Sequence, residues 1–157
     1  LKAIAALHRL DIVHRDIKPD NVHLGQDGVL RILDLGVAIS LGEQQGLAEV
    51  GSAGTPSYMA PEAFTDATPQ ANHDLYAAGV TLYYLLTRKY PYGEIEPFQH
   101  PKFGEPEKPT RWRPEIPGWL ENVLLKAVAP TAVQRFETAE EFLLALERGP
   151  SRQLAAR

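Results

Sequence analysis

Leu1, Ile4, Leu7 and Leu10 recur along one helical face with alanines between them, so the chain opens on an amphipathic helix already under way at its first residue. The polar run His14–Asn21 contains Pro19 and cannot continue that helix. Two short β-rich runs follow, Val22–Leu24 and Val29–Leu33. Gly25-Gln26-Asp27-Gly28 joins them, and its Asp-Gly pair predicts a hairpin. Leu75–Leu86 is apolar on every face, which predicts a helix buried in the core. Leu120, Val123, Leu124 and Ala127 share one face of a further helix. Thr138 and Glu141 have capping-box spacing and open a last helix, whose buried face is Ala139, Phe142, Leu143 and Leu146.

The segments between these elements are equally marked. Gly36 to Gly54 holds five glycines, and no Lys or Arg occurs between Arg31 and Arg88. A loop of that length within a compact domain is usually functional. Residues 91–117 carry seven of the 13 prolines and predict an irregular surface excursion with one short helix. The expected fold class is therefore α+β: a mostly helical lobe with one small β-hairpin and one long loop.

Composition narrows the function classes. The 157 residues include 16 Lys+Arg against 20 Asp+Glu, a net charge of −4 that argues against a nucleic-acid surface or an anionic-membrane patch. With no cysteine, disulfides, thiolate metal sites and a Cys nucleophile are excluded. The longest uncharged apolar run, Leu75–Thr87, is too short to cross a bilayer. No export signal opens the chain, and with no initiator Met it is expected to be a piece of a larger product.

Candidate chemistry is concentrated in His14-Arg15-Asp16-Ile17-Lys18-Pro19-Asp20-Asn21. Phosphoryl transfer from a nucleotide needs three things: a carboxylate to orient the attacking hydroxyl, a cation on the migrating group, and oxygen ligands for Mg²⁺. Asp16, Lys18 and Asn21 are candidates for these roles within one loop. Asp34, at the end of the second strand, is the candidate for a second Mg²⁺ ligand. Each also has a plainer reading: a solvated polar turn for the first three, a turn-capping carboxylate for Asp34, and a helix N-cap for Asp74.

The segment resembles the catalytic loop of eukaryotic-type (Hanks-type) Ser/Thr protein kinases, and the rest of the chain agrees in order. Asp34-Leu35-Gly36 stands where that family has Asp-Phe-Gly, 18 residues after Asp16. Gly54-Thr55-Pro56-Ser57-Tyr58-Met59-Ala60-Pro61-Glu62 resembles the end of its activation segment. Asp74 and Gly79 resemble residues that pin the catalytic loop from below, and Arg135 resembles the partner of the Ala-Pro-Glu glutamate. The resemblance covers residues 1–148 and leaves 149–157 as a tail. No G-x-G-x-x-G and no Val-Ala-x-Lys strand occur, so it extends to the C-terminal lobe only, with the N-terminal lobe absent. The wording around Leu35 and over Arg88–Gly104 is most similar to bacterial kinases fused to a metal-dependent protein phosphatase.

The resemblance implies a cytoplasmic enzyme that uses ATP and Mg²⁺ on a protein substrate, and that is inactive without its N-terminal lobe. Asp16, Lys18 and Thr55 would be catalytic, with Thr55 hydrogen-bonding Asp16 and Lys18. Lys18, Asn21, His23 and Asp34 would bind the nucleotide, His23 lying beneath the adenine, and Asn21 and Asp34 would hold the metal. Two rivals remain open: a small-molecule kinase of the aminoglycoside type, and a pseudokinase or interaction module. Ser40, Ser52, Thr55 and Ser57 are hydroxyls open to a regulatory phosphate, but with Arg15 the one obvious cationic partner in this lobe and Glu43 and Glu49 set to repel it, only weak dependence on phosphorylation is expected. His8, His73 and His100 read as isolated histidines, and Tyr83, Tyr84 and Tyr90 as packing residues.

Overall fold

A computed structural model describes residues 1–43 and 54–155. Four α-helices are described: α1 Lys2–Arg9, α2 Ala71–Thr87, α3 Gly118–Ala127 and α4 Ala139–Ala155. Leu75, Tyr76, Ala77, Ala78, Val80 and Tyr83 of α2 are all buried, as its unbroken apolar run requires. Around α2 the core takes in Ile4 and Ala5 of α1, Ile17, Tyr58, Val128, Phe136 and Phe142. Burying each of the larger side chains contributes about 1.5–3 kcal/mol.

Gly79 is where α2 and α3 meet. A Cβ there would lie 2.7 Å from Ala127 Cβ and 3.1 Å from Val128 Cγ1. Glycine there permits close packing of α2 against the end of α3. At the start of α4, Thr138 Oγ1 accepts from Glu141 N at 3.0 Å. The return bond of the capping box falls one residue early, with Glu137 N donating to Glu141 Oε2 at 3.0 Å.

The hairpin forms from β2 (Val22–Leu24) and β3 (Leu30–Ile32), in register Val22↔Ile32, His23↔Arg31 and Leu24↔Leu30. Gly28, at φ +75°, takes the left-handed position of the turn. A second ladder pairs β1 (Ile12–Val13) with β4 (Ile39–Ser40). Two residues a side are too few to leave a period-2 pattern, so only the hairpin is legible in the sequence. The ladder returns the start of the long loop to the entry of the His14–Asn21 segment, where Leu41 N also donates to Asp11 O at 2.7 Å. Ser52, Glu49 and most of the Gly36–Gly54 stretch lie outside the described residues.

Residues 91–117 are irregular, with a single 3-10 turn at Pro109–Arg111. Tyrosine hydroxyls tie this excursion down: Tyr83 Oη donates to Glu107 O at 2.8 Å and Tyr92 Oη to Val128 O at 2.7 Å. Tyr84 stacks on Tyr90, ring centroids 4.9 Å apart. Among the described residues, no helix is long and apolar enough to cross a membrane.

Candidate active site

Asp74 sits in the first turn of α2, four residues past the N-cap Gln70, and is 1% exposed. It is not a helix cap. Its carboxylate accepts from His14 N at 2.8 Å, Arg15 N at 2.9 Å and His8 Nε2 at 2.9 Å. Arg15 is left-handed at φ +74°, a conformation that costs a residue with a Cβ about 1–2 kcal/mol. Three donors on one buried carboxylate hold the loop in that shape. The His14 ring is itself buried: Nδ1 accepts from Asp16 N at 3.1 Å, which assigns the proton to Nε2, and Nε2–H donates to Leu33 O at 2.9 Å. The histidine thus joins the Asp16 turn to the residue preceding Asp34.

The loop brings its own polar groups together. Asn21 Nδ2 donates to Asp16 O at 2.8 Å and to Asp16 Oδ2 at 3.3 Å. Thr55 Oγ1 donates to Asp16 Oδ1 at 3.2 Å and accepts from Lys18 Nζ at 2.9 Å. Lys18 Nζ lies 3.7 Å from Asp16 Oδ2. Gly54, at φ +113°, allows this approach, because a Cβ there would stand 3.0 Å from Arg15 O. A carboxylate held by a hydroxyl, an ammonium and an amide can orient an incoming hydroxyl group and take up its proton.

Asp34 reaches the same region through the backbone. Leu33 N donates to Asn21 O at 2.8 Å, and Asp34, left-handed at φ +60°, accepts from Gly36 N on Oδ1 at 3.0 Å. Because the Asn21 amide spends its NH₂ on Asp16, its oxygen is the atom left to meet a cation. One amide oxygen and one carboxylate suit Mg²⁺, which takes one or two protein ligands and completes its shell with water and phosphate. His23 stands exposed on β2, opposite Arg31.

Ser57 is not available as an acceptor. It is buried, its Oγ accepting from Ile95 N at 2.9 Å and donating to Ile95 O at 3.4 Å. The pair Glu62 and Arg135 is built in, not exposed. The Arg135 side chain is fully buried, and all five of its N–H groups are used: on Glu62 at 2.7 and 2.9 Å, Asn72 Oδ1 at 2.8 Å, Ala129 O at 2.7 Å and Pro130 O at 3.2 Å. Burial alone would raise the Glu62 carboxyl, but the Arg135 hydrogen bonds outweigh it and hold its pKa below the ordinary value. His73 Nε2 lies 3.6 Å from Glu62 Oε1, and burial lowers its pKa.

The family model of the protein kinase domain matches residues 1–141. The chain belongs to the protein kinase family. It is 35% identical over 144 residues to the serine/threonine-protein kinase PrkC of Bacillus subtilis, which is 90% of this kinase chain and 22% of that protein. It is 35% identical over 154 residues to a probable serine/threonine-protein kinase of Streptomyces coelicolor, 94% of this chain and 23% of that protein. The tyrosine-protein kinase MasK of Myxococcus xanthus is also 35% identical, over 93% of this chain and 23% of its own length. The chain thus spans under a quarter of the relatives it matches.

Within this kinase chain, Asp16, Lys18, Asn21 and Thr55 come together directly, Asp34 follows the Leu33–Asn21 backbone bond, and His23 stands exposed on the adjoining strand β2. His8, His14 and the Ser57–Ile95 clasp were not legible as parts of the site. Only the match of His14 to the family's loop pointed toward any of them.

Proposed function

We propose that this chain is the C-terminal lobe of a Ser/Thr protein kinase, with residues 1–148 forming the lobe and 149–157 a tail. The Thr55 hydroxyl, shared between Asp16 and Lys18, is the observation that carries the reading. It joins the segment that resembles a peptide platform to the loop that would perform the transfer. In that reaction the acceptor oxygen attacks the γ-phosphorus of ATP, its bond to the β–γ bridging oxygen breaks, and ADP leaves. Asp16 orients the acceptor hydroxyl and takes its proton. Lys18 steadies the γ-phosphate, Thr55 keeps the two in place, and His23 lies beneath the adenine. Asn21 and Asp34 would hold Mg²⁺, whose charge would offset the build-up on the transferring oxygens.

A second lobe completes the site. Leu24 and Leu30 are each 63% exposed and Leu35 is 57% exposed, an apolar surface running from the hairpin to Asp34. Such a surface beside the nucleotide residues is suited to a covering partner, here the N-terminal lobe. Without it the chain lacks one wall of the ATP site and is inactive alone. The names of the relatives are mixed between Ser/Thr and Tyr kinases, and Lys18 with Thr55 favours the Ser/Thr branch. The likeness of Arg88–Gly104 favours a bacterial kinase fused to a phosphatase, acting in the cytoplasm where ATP and its protein acceptors meet. The test is to incubate the protein expressed from its complete gene with Mg²⁺ and γ-labelled ATP, offering proteins and aminoglycosides side by side. Label on protein serine and threonine supports the reading. Label on the aminoglycoside alone makes it a small-molecule kinase, and no transfer leaves a pseudokinase.

A further inference from the structure

Glu96 to Gln99 forms a tight turn, with Gln99 N donating to Glu96 O at 3.3 Å and Glu96 N donating to Gln99 Oε1 at 2.9 Å. Pro97 and Phe98 are its central residues, and Phe98 is left-handed at φ +67°. At the third position of such a turn glycine is the unstrained choice. This chain instead places a phenylalanine there and leaves it 101% exposed. Neither packing nor backbone preference accounts for that choice. A strained backbone presenting an aromatic ring to solvent points to a binding role.

The position of the turn identifies what it meets. Ile95 is buried, and its N–H and C=O both engage Ser57 Oγ. Ser57 lies two residues from Thr55, which touches Asp16. Three residues of chain span at most about 11 Å, so Phe98 stands within that reach of Ile95. Phe103 packs on Phe64, ring centroids 5.8 Å apart, binding the same excursion to the stretch after Glu62. Glu94 and Glu96 are both exposed beside Phe98, and no Lys or Arg occurs between Lys89 and Lys102.

We infer that the loop Glu94–Gln99 is a specificity element for the protein substrate, clasped to the platform by Ser57. It recognises an acceptor segment in which an apolar side chain is flanked by Lys or Arg. Phe98 meets the apolar side chain, and Glu94 and Glu96 meet the basic neighbours. This rests on the kinase reading above and names the substrate class for that site.

The test uses the protein expressed from its complete gene, with a degenerate peptide library carrying one fixed serine. The parent should select an apolar residue with adjacent Lys or Arg, and Phe98→Gly should lose the apolar selection. On the best peptide, KM should rise about tenfold or more in Phe98→Gly, with the KM for ATP unmoved, and Phe98→Leu should recover most of the loss. Because glycine relieves the left-handed strain, the thermal midpoint of Phe98→Gly should equal or exceed the parent's. An unchanged selection and KM overturn the inference while leaving the kinase reading intact, and so does a lowered midpoint accompanied by a loss that Phe98→Leu does not recover. A parent that phosphorylates no peptide or protein overturns both.

Discussion

The Thr55 hydroxyl lies 3.2 Å from Asp16 Oδ1 and 2.9 Å from Lys18 Nζ, donating to the carboxylate and accepting from the ammonium. One side chain from the platform therefore sets the geometry of both loop groups. Thr55→Val keeps the shape and removes the hydroxyl, so kcat should fall tenfold or more, about 1.4 kcal/mol of barrier, with the KM for ATP nearly unchanged. Thr55→Ser restores both hydrogen bonds and should recover activity. Steady-state kinetics of the two variants of the complete protein check this.

His8 lies on α1. Its Nε2 reaches Asp74, the carboxylate that also holds the His14 and Arg15 amides. His8→Leu leaves Asp74 short of one donor to a buried charge and should cost about 1.5–3 kcal/mol in urea unfolding. His8→Gln, which keeps a donor at similar reach, should lose less than His8→Leu in both stability and turnover.

That histidine also marks where sequence reading stops. His8 and Asp74 are 66 residues apart, and nothing in local pattern pairs them. The same holds for Ser57 and Ile95, 38 residues apart, so Ser57 read as a phosphate acceptor when its hydroxyl is committed to backbone. The clustering of Asp16, Lys18 and Asn21 could be read because they lie within one short loop, and that of Thr55 only because the family's platform motif is itself contiguous. Helix α2 was legible from its apolar run, although its first turn, with polar Asn72, His73 and Asp74, lies outside that run. Gly79 illustrates the converse: its identity stood out, but the surface it packs against depended on α3.

Acid should loosen the Glu62–Arg135 tie. The carboxyl is held below its ordinary value of 4.5, so the unfolded chain binds the proton more readily. That contribution is complete above pH 4.5 and is lost as pH falls through the lower folded value. His73, lowered by burial from 6.5, acts in the same direction, with loss beginning below that pH. Urea midpoints should therefore decline from pH 6.5 downward, and His73→Gln should flatten the upper part of the decline. Arg135→Met strands Glu62 and should cost about 3–5 kcal/mol at neutral pH.

Gly79→Ala places a methyl 2.7 Å from Ala127 Cβ at the α2–α3 contact. Alanine favours helix formation, so an open site would gain stability from the change. Here overpacking should prevail, with a net loss of about 1–3 kcal/mol by thermal unfolding. Pairing it with Ala127→Gly should recover part of that loss.

The proposed role of Asp16 in transfer from ATP to protein hydroxyls rests on its place between Thr55, Lys18 and Asn21. The decisive measurement expresses the complete gene as parent and as Asp16→Asn, incubates each with γ-labelled ATP and an acceptor protein, and analyses the phosphoamino acids. The parent should yield phosphoserine and phosphothreonine. Asp16→Asn should keep the thermal midpoint and transfer phosphate about 10²–10⁴-fold more slowly. Equal transfer by the two proteins, or parental label confined to tyrosine, would overturn that role.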